Sequence, residues 1–338
     1  MPNQNQPLLL DALTREGVLI NVSIRYWRGC KKLKPEDIGL KNENLSDRLI
    51  SLGHKRLLPK DALAELNLAE GRAHAMVEEN TFPFLHGLGH FVPNGRLEEV
   101  TTKLKTLETE FWRAKERFLE KYATLRASAA VEWRAMATKL VPDPERVVSI
   151  IEESFPVQNQ MSRFFGFDLQ LFQICLPERL SMDLITLEDQ QQVIAARQRA
   201  AQAAGNKIQH DVESFVADCV AALREQTAKL CEDMLHSINT SQTGVHQKTL
   251  NRLVNFIEQF KRMNFVNDTV MERQLEQVRK ELLTRTAEQY RDNDYAKGQL
   301  VKGLNNLSNV ARNLAKQDAT ELVQRFGQVG RRKFSLAA

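Results

Sequence analysis

The sequence contains few of the residues that interrupt helices. It has 15 glycines and 10 prolines in 338 residues, and the prolines lie before residue 180. A proline inside a helix removes a backbone hydrogen-bond donor and clashes with the preceding turn. The second half of the chain is therefore almost free of helix breakers.

Cysteine is also scarce. The four cysteines, Cys30, Cys175, Cys219 and Cys231, stand at irregular intervals and form no C-x-x-C pair. Disulfide frameworks and structural zinc sites use cysteines that are paired or regularly spaced. We therefore expect reduced structural thiols, with neither a disulfide framework nor a zinc site.

Long hydrophobic runs are absent as well. The mean hydropathy is −0.41, and no apolar run approaches the roughly 20 residues that a membrane-spanning helix needs. Residues 1–7 carry no charged side chain and Leu8–Leu10 is short, so we expect no signal peptide and a cytoplasmic protein. The net charge of +4 is too small to indicate nucleic-acid binding by itself.

Most of the sequence has the spacing of apolar residues that is typical of helices. Apolar residues at spacings of three and four predict long helices over Leu97–Leu140 and Leu187–Ile238. They also predict a helix over Val245–Met263 and a last long helix from Thr269 to Phe326, with a break near Asp292–Asp294. The residues assigned to the packing or partner-binding face of these helices are Leu104, Phe111, Phe118, Tyr122, Trp133, Ile194, Ile208 and Phe215.

A smaller part of the sequence has strand patterns. Val18–Trp27 alternates apolar and polar residues and is rich in β-branched side chains, which predicts a strand. Phe82–Gly95 contains two prolines and three glycines among alternating apolar residues, which predicts a small hairpin able to pair with that strand. Helices are predicted over Asn44–Leu52 and Asp61–Asn80.

The predicted fold class is mainly α: an elongated antiparallel long-helix bundle or coiled coil with a small N-terminal α+β element. Such helices exceed the roughly 11–12 residues of an average globular helix, which favours a bundle. The predicted segments are an N-terminal α+β element (1–95), a first long helix (96–146), an aromatic-rich irregular head (147–186), a long helical hairpin or bundle (187–330) and a basic tail (331–338).

Motifs for catalysis are missing. The sequence has no G-x-x-x-x-G-K-[ST] phosphate loop and no G-x-S-x-G nucleophile elbow. We therefore expect a protein that is not an enzyme and has no cofactor. His86 and His90 are the weak candidates for a metal site, but four residues of extended chain would separate them by ~13 Å, which is too far for one ion.

Nucleic-acid binding is the first alternative function. Between Arg25 and Lys60 there are ten lysines and arginines against four acidic residues. Aromatic side chains beside basic ones hold single-stranded nucleic acid. The candidate residues are Arg25, Trp27, Arg28, Lys31, Lys32, Lys34, Lys55 and Arg56. The competing interpretation is that Trp27 belongs to the core and the lysines form a solvated face.

Membrane activity is the second alternative. Long helices around the hydrophobic stretch Phe155–Leu176 are similar in layout to helical pore-forming proteins. Polar residues, among them Gln158, Arg163 and Asp168, interrupt this stretch, so its insertion would be costly.

The order of these features resembles a bacterial family catalogued as a domain of unknown function. The resembling residues are GVLINVSIRYWRGCKKL at 17–33, the Gly53-His54-Lys55 step, FPFLHGLGHFVP at 82–93, the Tyr122 to Trp133 helix and Phe155-Pro156. Members of that family occur on phages and mobile elements, often beside genes for a cobaltochelatase-like (MoxR-class) AAA+ ATPase and a von Willebrand A protein. The resemblance implies no catalytic residues.

The function we expect is that of a non-enzymatic scaffold or adaptor. It would assemble with itself or with an AAA+ ATPase, in mobile-element or phage-related defence. We expect this function because the long helices have a continuous apolar face and the sequence has no catalytic motif. The small, polar stretch Leu187–Gly205 is the expected place for partner contact.

Overall fold

A computed structural model describes residues 6–38, 52–173, 190–241, 244–317 and 319–332. The fold is mainly α-helical with a small antiparallel sheet, which confirms the predicted class. The predicted helix over Asn44–Leu52 falls almost wholly outside the described residues. So do Cys175, the second part of the predicted aromatic head and residues 333–338 of the predicted tail.

The strands are short and the helices vary widely in length. The described strands are β1 (Gly17–Arg25), β2 (Cys30–Lys32), β3 (His54–Arg56), β4 (Phe82–Phe84), β5 (Gly89–Pro93) and β6 (Gly166–Phe172). The described α-helices are α1 (Gln6–Glu16), α2 (Ala64–Asn80), α3 (Asn94–Leu140), α4 (Pro144–Glu153), α5 (Gln190–Thr240), α6 (Gln247–Met263), α7 (Thr269–Leu282), α8 (Ala287–Arg291), α9 (Asp294–Lys316) and α10 (Thr320–Arg332).

The chain divides into two compact units. The first comprises Met1–Ile20, Asn80–Glu99 and Leu171–Ala338, and the second comprises Asn21–Glu79 and Val100–Gln170. Both β1 and α3 contribute residues to each unit. Each unit therefore collects residues that are distant in the chain, because strand pairing and helix packing join them.

The predicted hairpin belongs to the first unit. β4 and β5 pair antiparallel, and β5 pairs with β1 from Gly17↔Pro93 to Ile20↔His90. A 3₁₀ turn joins the hairpin strands, and Gly87 in that turn has a φ of 103°, which glycine adopts without strain. The prediction that the hairpin pairs with the first strand is confirmed. β6 lies on the other side of β1, giving the strand order β4-β5-β1-β6.

The helices of the first unit bury their apolar faces within the chain. α5 packs against α9, and α1 packs against α10. Phe215 of α5 lies against Phe84 and Phe91 of the hairpin, with ring centroids 4.8 and 5.7 Å apart. The predicted helix over Leu187–Ile238 is confirmed as α5, and the one over Val245–Met263 as α6.

The last long helix predicted from Thr269 to Phe326, with a break near Asp292–Asp294, is divided into more pieces than predicted. Four helices, α7 to α10, occupy this stretch. Thr286 forms a capping box with Gln289, and the Asn293 side chain accepts a hydrogen bond from the backbone N of Ala296. Such caps start new helices because they satisfy backbone donors that have no partner inside the helix. The predicted break near Asp292–Asp294 is confirmed.

The second unit is organised around α3. The predicted helix over Leu97–Leu140 is confirmed, and it begins three residues earlier, at Asn94. Aromatic residues of one face of α3 pack on Tyr26 and Trp27, which follow β1. The Tyr122 hydroxyl donates a hydrogen bond of 2.6 Å to the carbonyl oxygen of Pro156.

Three short elements were not predicted. They are α1, the two-stranded β2–β3 sheet and β6. β2 and β3 have three residues each and most of these are charged, so no apolar alternation marks them. β6 lies in the stretch predicted to be an irregular head, although Phe167, Leu169 and Leu171 alternate with Asp168 and Gln170 there.

Candidate partner-binding groove

The two-stranded β2–β3 sheet is held in the second unit by a buried ion pair. The opposed residues are Cys30 and Arg56, Lys31 and Lys55, and Lys32 and His54. Lys55 Nζ lies 2.8 Å from Asp37 Oδ2, and both side chains are buried. The same oxygen accepts a hydrogen bond of 2.8 Å from the backbone N of Lys34. A buried ion pair completed by a further hydrogen bond holds its partners in one arrangement.

A groove with a volume of about 420 Å³ opens between the β2–β3 sheet, α3 and α4. Its floor is apolar and buried, and it consists of Leu57, Leu58, Ala129, Val147 and Ile151. Its rim carries Leu33, Trp133, Met136 and Ile150, which are half-buried or exposed. Met136 has 47% of its surface exposed and borders the apolar floor of the groove.

Trp133 joins two walls of the groove. Its indole Nε1–H donates a hydrogen bond of 3.0 Å to the carbonyl oxygen of Arg56 in β3. This bond satisfies the indole donor and leaves part of the ring at the groove rim. The structure thus brings together Trp133 of the predicted packing face and Arg56 of the predicted nucleic-acid patch.

Trp27 of the predicted nucleic-acid patch and its neighbour Tyr26 are buried. Trp27 packs on Phe118, Tyr122 and Phe155, with ring centroids 5.7 to 6.3 Å apart. It is 9% exposed, as the competing core interpretation proposed, and offers no face to a base. Burial raises the pKa of the Tyr26 hydroxyl, and the hydrogen bond that this hydroxyl donates to Glu70 raises it further.

Two of the predicted basic residues are engaged inside the unit. The Arg28 guanidinium donates to both carboxylate oxygens of Glu70, at 2.6 and 2.7 Å, and lies 4.0 Å from the Tyr26 ring centroid. Its hydrogen bonds lower the pKa of Glu70. Lys55 is held by Asp37, as described above. The Lys55 ammonium is buried and so not available to a phosphate, whereas the Arg28 side chain stays 48% exposed beside Glu70.

The other five predicted cations are exposed. None of them forms an ion pair with a residue of the described ranges: they are Arg25, Lys31, Lys32, Lys34 and Arg56. Arg56 lines the groove, and Lys32 pairs across the β2–β3 sheet with the lining residue His54. The exposed acid that lines the groove is Glu132. The groove lining therefore presents one exposed arginine and one exposed glutamate, beside the ion pair of Asp37 and Lys55.

Most of the predicted packing or partner-binding face is used for packing within the chain. Leu104, Phe111, Phe118, Tyr122 and Phe215 are buried. Ile208 is half-buried beside the core of the first unit, and the side chain of Ile194 lies outside the described part. From Arg199 to Lys207 every described side chain is exposed or half-buried. Trp133 is the member of the face that reaches the groove.

The histidines and cysteines offer little chemistry in the described ranges. His90 Nδ1 lies 3.1 Å from Thr81 Oγ1, and the His86 side chain lies outside the described part. No group of three or more His, Cys, Asp or Glu side chains among the described residues could hold a metal ion. Burial raises the pKa of the Cys219 thiol and raises that of Cys231 to about 12. Cys30 is exposed.

A second cavity, of about 520 Å³, lies in the first unit between α1, α5 and α10. Its lining is mainly polar, with Gln209, His210, Glu213 and Gln324 among the residues. These side chains are exposed or half-buried, so they are not held by a packed core. The groove of the second unit is the better candidate, because its walls are apolar and fixed. Among the described helices none has the length and apolarity to cross a membrane.

The groove residues that the sequence analysis missed come from distant parts of the chain. Met136 and Ile150 fall at ordinary apolar positions of helical patterns, and their positions carry no sign of exposure. His54 directly precedes Lys55 and Arg56, but the β2–β3 pairing that places it beside the groove is not visible in the sequence.

The mainly α fold with a four-stranded antiparallel sheet defines the structural class. A family model described as "Protein of unknown function (DUF3150)" matches residues 14–304, and the chain belongs to this family. No curated protein matches the chain. No solved structure matches it either.

Proposed function

We propose that this protein is a non-enzymatic helical adaptor that binds a protein partner through the groove of its second unit. The observation that carries the proposal is the exposed Met136 at the rim of an apolar groove whose walls are fixed by Trp133 and Lys55. Apolar pockets with fixed walls accept the anchoring side chains of partner proteins. Because the side chains around it are already held in place, little conformational entropy is lost on binding.

The partner we propose is an AAA+ ATPase of the MoxR class. The support is the family resemblance, in which such ATPases are encoded beside family members on phages and mobile elements. The process would then be mobile-element or phage-related defence in the cytoplasm. Self-assembly is the alternative form of the same function.

Substitution of Met136 by glutamate tests the adaptor function. Size-exclusion chromatography with light scattering should show a complex between the chain and a neighbouring AAA+ ATPase. We expect Met136→Glu to weaken that complex by roughly tenfold or more, because a carboxylate would have to be desolvated against apolar walls.

Val131→Glu is the matched control. Val131 also lies on α3 and is 65% exposed, but it does not line the groove. The Val131→Glu variant should bind the ATPase as tightly as the wild type does. A strict monomer that binds no ATPase would contradict the adaptor function, and equal effects of both variants would contradict the groove as its site.

Nucleic-acid binding is a second candidate, and the five exposed cations around β1 to β3 favour it. Fluorescence anisotropy with labelled single-stranded DNA should then show an affinity that falls steeply as salt rises. A triple charge reversal at Lys31, Lys32 and Arg56 should abolish it. Binding that is insensitive to salt, or that survives the reversal, would reject this site.

A further inference from the structure

The two-stranded β2–β3 sheet turns one face to solvent, and the side chains of that face are basic or small. Opposed residues of an antiparallel pair project to the same side of a sheet, and so do residues two apart on one strand. The residues that share this outer face are Cys30, Lys32, His54 and Arg56, and all four are exposed. Lys55 projects to the other side, where it is buried with Asp37.

We propose that this outer face binds double-stranded DNA through the sugar–phosphate backbone, with Lys32 and Arg56 each contacting a phosphate. This inference rests on the second candidate function, nucleic-acid binding, and specifies its ligand as a duplex held through phosphates without base stacking. It stands or falls separately from the adaptor function, which the Met136 variant tests.

The two cations of the outer face are free to contact a ligand, and the backbone that carries them is fixed. Neither Lys32 nor Arg56 forms an ion pair with any residue in the part of the chain that the structure describes. They are diagonal neighbours in the sheet, a spacing of roughly 7–8 Å. Trp133 holds the carbonyl oxygen of Arg56 at 3.0 Å, and the buried Lys55 holds the same strand. The freedom lost on binding is therefore confined to the two side chains.

The charges of the β2–β3 sheet select an anionic ligand. The two strands carry three exposed cations, Lys31, Lys32 and Arg56, and neither strand contains an acid. Glu132 of α3 lines the adjoining groove with Arg56, and within the described structure no ion pair joins the two. A DNA duplex presents one negative charge per roughly 1.7 Å of its axis, so successive phosphates can meet both cations of the outer face.

The position of the aromatic residues favours a duplex over a single strand. Proteins hold single strands by stacking their bases on aromatic side chains. Trp27 and its neighbour Tyr26 are buried, and the outer face has no aromatic side chain. The contacts that remain are those to phosphates, whose charge density is higher on a duplex. Because phosphate contacts carry no sequence information, the binding should not depend on the base sequence.

Two other anionic partners fit the outer face less well. The centre of a protein–protein interface is rich in apolar and aromatic anchors and poor in lysine, whereas this face has no large apolar side chain. Anionic membrane surfaces attract clusters of roughly four to eight lysines and arginines. Only two such residues, Lys32 and Arg56, lie on the outer face.

Fluorescence anisotropy with the full-length chain tests the choice of ligand. A labelled short DNA duplex is compared with one of its single strands and with a duplex of scrambled sequence, over a series of salt concentrations. We expect both duplexes to bind equally, more tightly than the single strand and with an affinity that falls as salt rises. Tighter binding of the single strand would overturn the inference and leave nucleic-acid binding standing. Absence of salt-dependent binding to every probe would contradict nucleic-acid binding itself.

Single neutralising variants test which face of the sheet makes the contacts. Lys32→Gln and Arg56→Gln should each weaken duplex binding by roughly threefold or more and lower the slope of log affinity against log salt by about one, the loss of one phosphate contact. Lys31→Gln should have a smaller effect, because Lys31 pairs with Lys55 and projects to the other face. Arg113→Gln and Lys121→Gln are matched controls that remove the same charge from exposed positions of α3. Equal effects of all five variants would show a response to net charge and overturn the inference.

Competition against the labelled duplex tests the other anionic partners. The competitors are polyglutamate and phosphatidylserine vesicles, each at the same concentration of negative charge as unlabelled duplex. We expect unlabelled duplex to displace the probe most effectively. Polyglutamate that competes as well as the duplex would overturn the inference in favour of an acidic protein, and vesicles that do so would overturn it in favour of a membrane surface.

Discussion

Replacement of Asp268 by alanine is expected to lower the stability of the first unit by about 3–5 kcal/mol, which is the usual cost of removing one partner of a buried ion pair. The Asp268 carboxylate accepts a hydrogen bond of 2.7 Å from Arg224 Nε and another, of 3.2 Å, from the backbone N of Met271. Arg224 also donates to the carbonyl oxygen of Leu314 at 2.7 Å. The pair therefore links α5 to the start of α7 and the last turns of α9.

The large effect follows from burial of both charges. The Arg224 and Asp268 side chains are only 5% and 3% exposed. Without the carboxylate, the guanidinium would stay buried with the Leu314 carbonyl as its remaining partner, and α7 would lose its N-terminal cap. Hydrogen exchange of the α5 and α7 amides, with denaturant unfolding of the full chain, measures the change.

Two comparisons make the measurement specific. Asp233 lies on α5, like Arg224, and its ion pair with Arg252 of α6 is exposed, so Asp233→Ala should cost less than about 1 kcal/mol. Asp268→Asn keeps an acceptor for the cap and should be less harmful than Asp268→Ala. If Asp268→Ala were no more destabilising than Asp233→Ala, the buried pair would not have the role assigned to it.

Replacement of Trp27 by alanine is expected to lower the stability of the second unit by a similar amount, about 3–5 kcal/mol, because it removes a large buried side chain and leaves a cavity. The Trp27 ring contacts the rings of Phe118, Tyr122 and Phe155. Denaturant unfolding and hydrogen exchange of the β1 and α3 amides report the loss.

Leu68→Ala is the matched control for this second prediction. Leu68 belongs to the same unit and is 61% exposed, so its truncation should change stability by less than about 0.5 kcal/mol. Trp27→Phe should retain part of the stability by keeping an aromatic ring in the cluster. A Trp27→Ala protein as stable as the wild type would show that the ring is dispensable for folding and would reopen a binding role for it.

The elements that were predicted correctly are those with a long or regular pattern. The period of two over Val18–Trp27 predicted β1, and the long run of apolar residues at helical spacing predicted α3 and α5. These patterns can be read locally because every residue of the element repeats the same relation to one buried face.

Several of the elements that were missed, β2 and β3 among them, lack such repetition. β2 and β3 exist because Lys55 is neutralised by Asp37 and because the two strands satisfy each other's backbone groups. The division between α7 and α8 depends on a single capping residue, Thr286. That cap is present in the sequence, but apolar residues at helical spacing continue on both sides of it and predict one helix.

The amino-acid sequence by itself determined that this protein is mainly helical, that its longest helices have one apolar face each, and that a small hairpin pairs with an early strand. Only the tertiary structure decided which apolar and basic residues are covered. Trp27 and Met136 both occupy apolar positions, yet one is buried and the other is exposed at a groove. The reason is that burial depends on segments that come together from distant parts of the chain. At the groove these segments are the β2–β3 sheet, α3 and α4, and no local sequence pattern indicates that they are in contact.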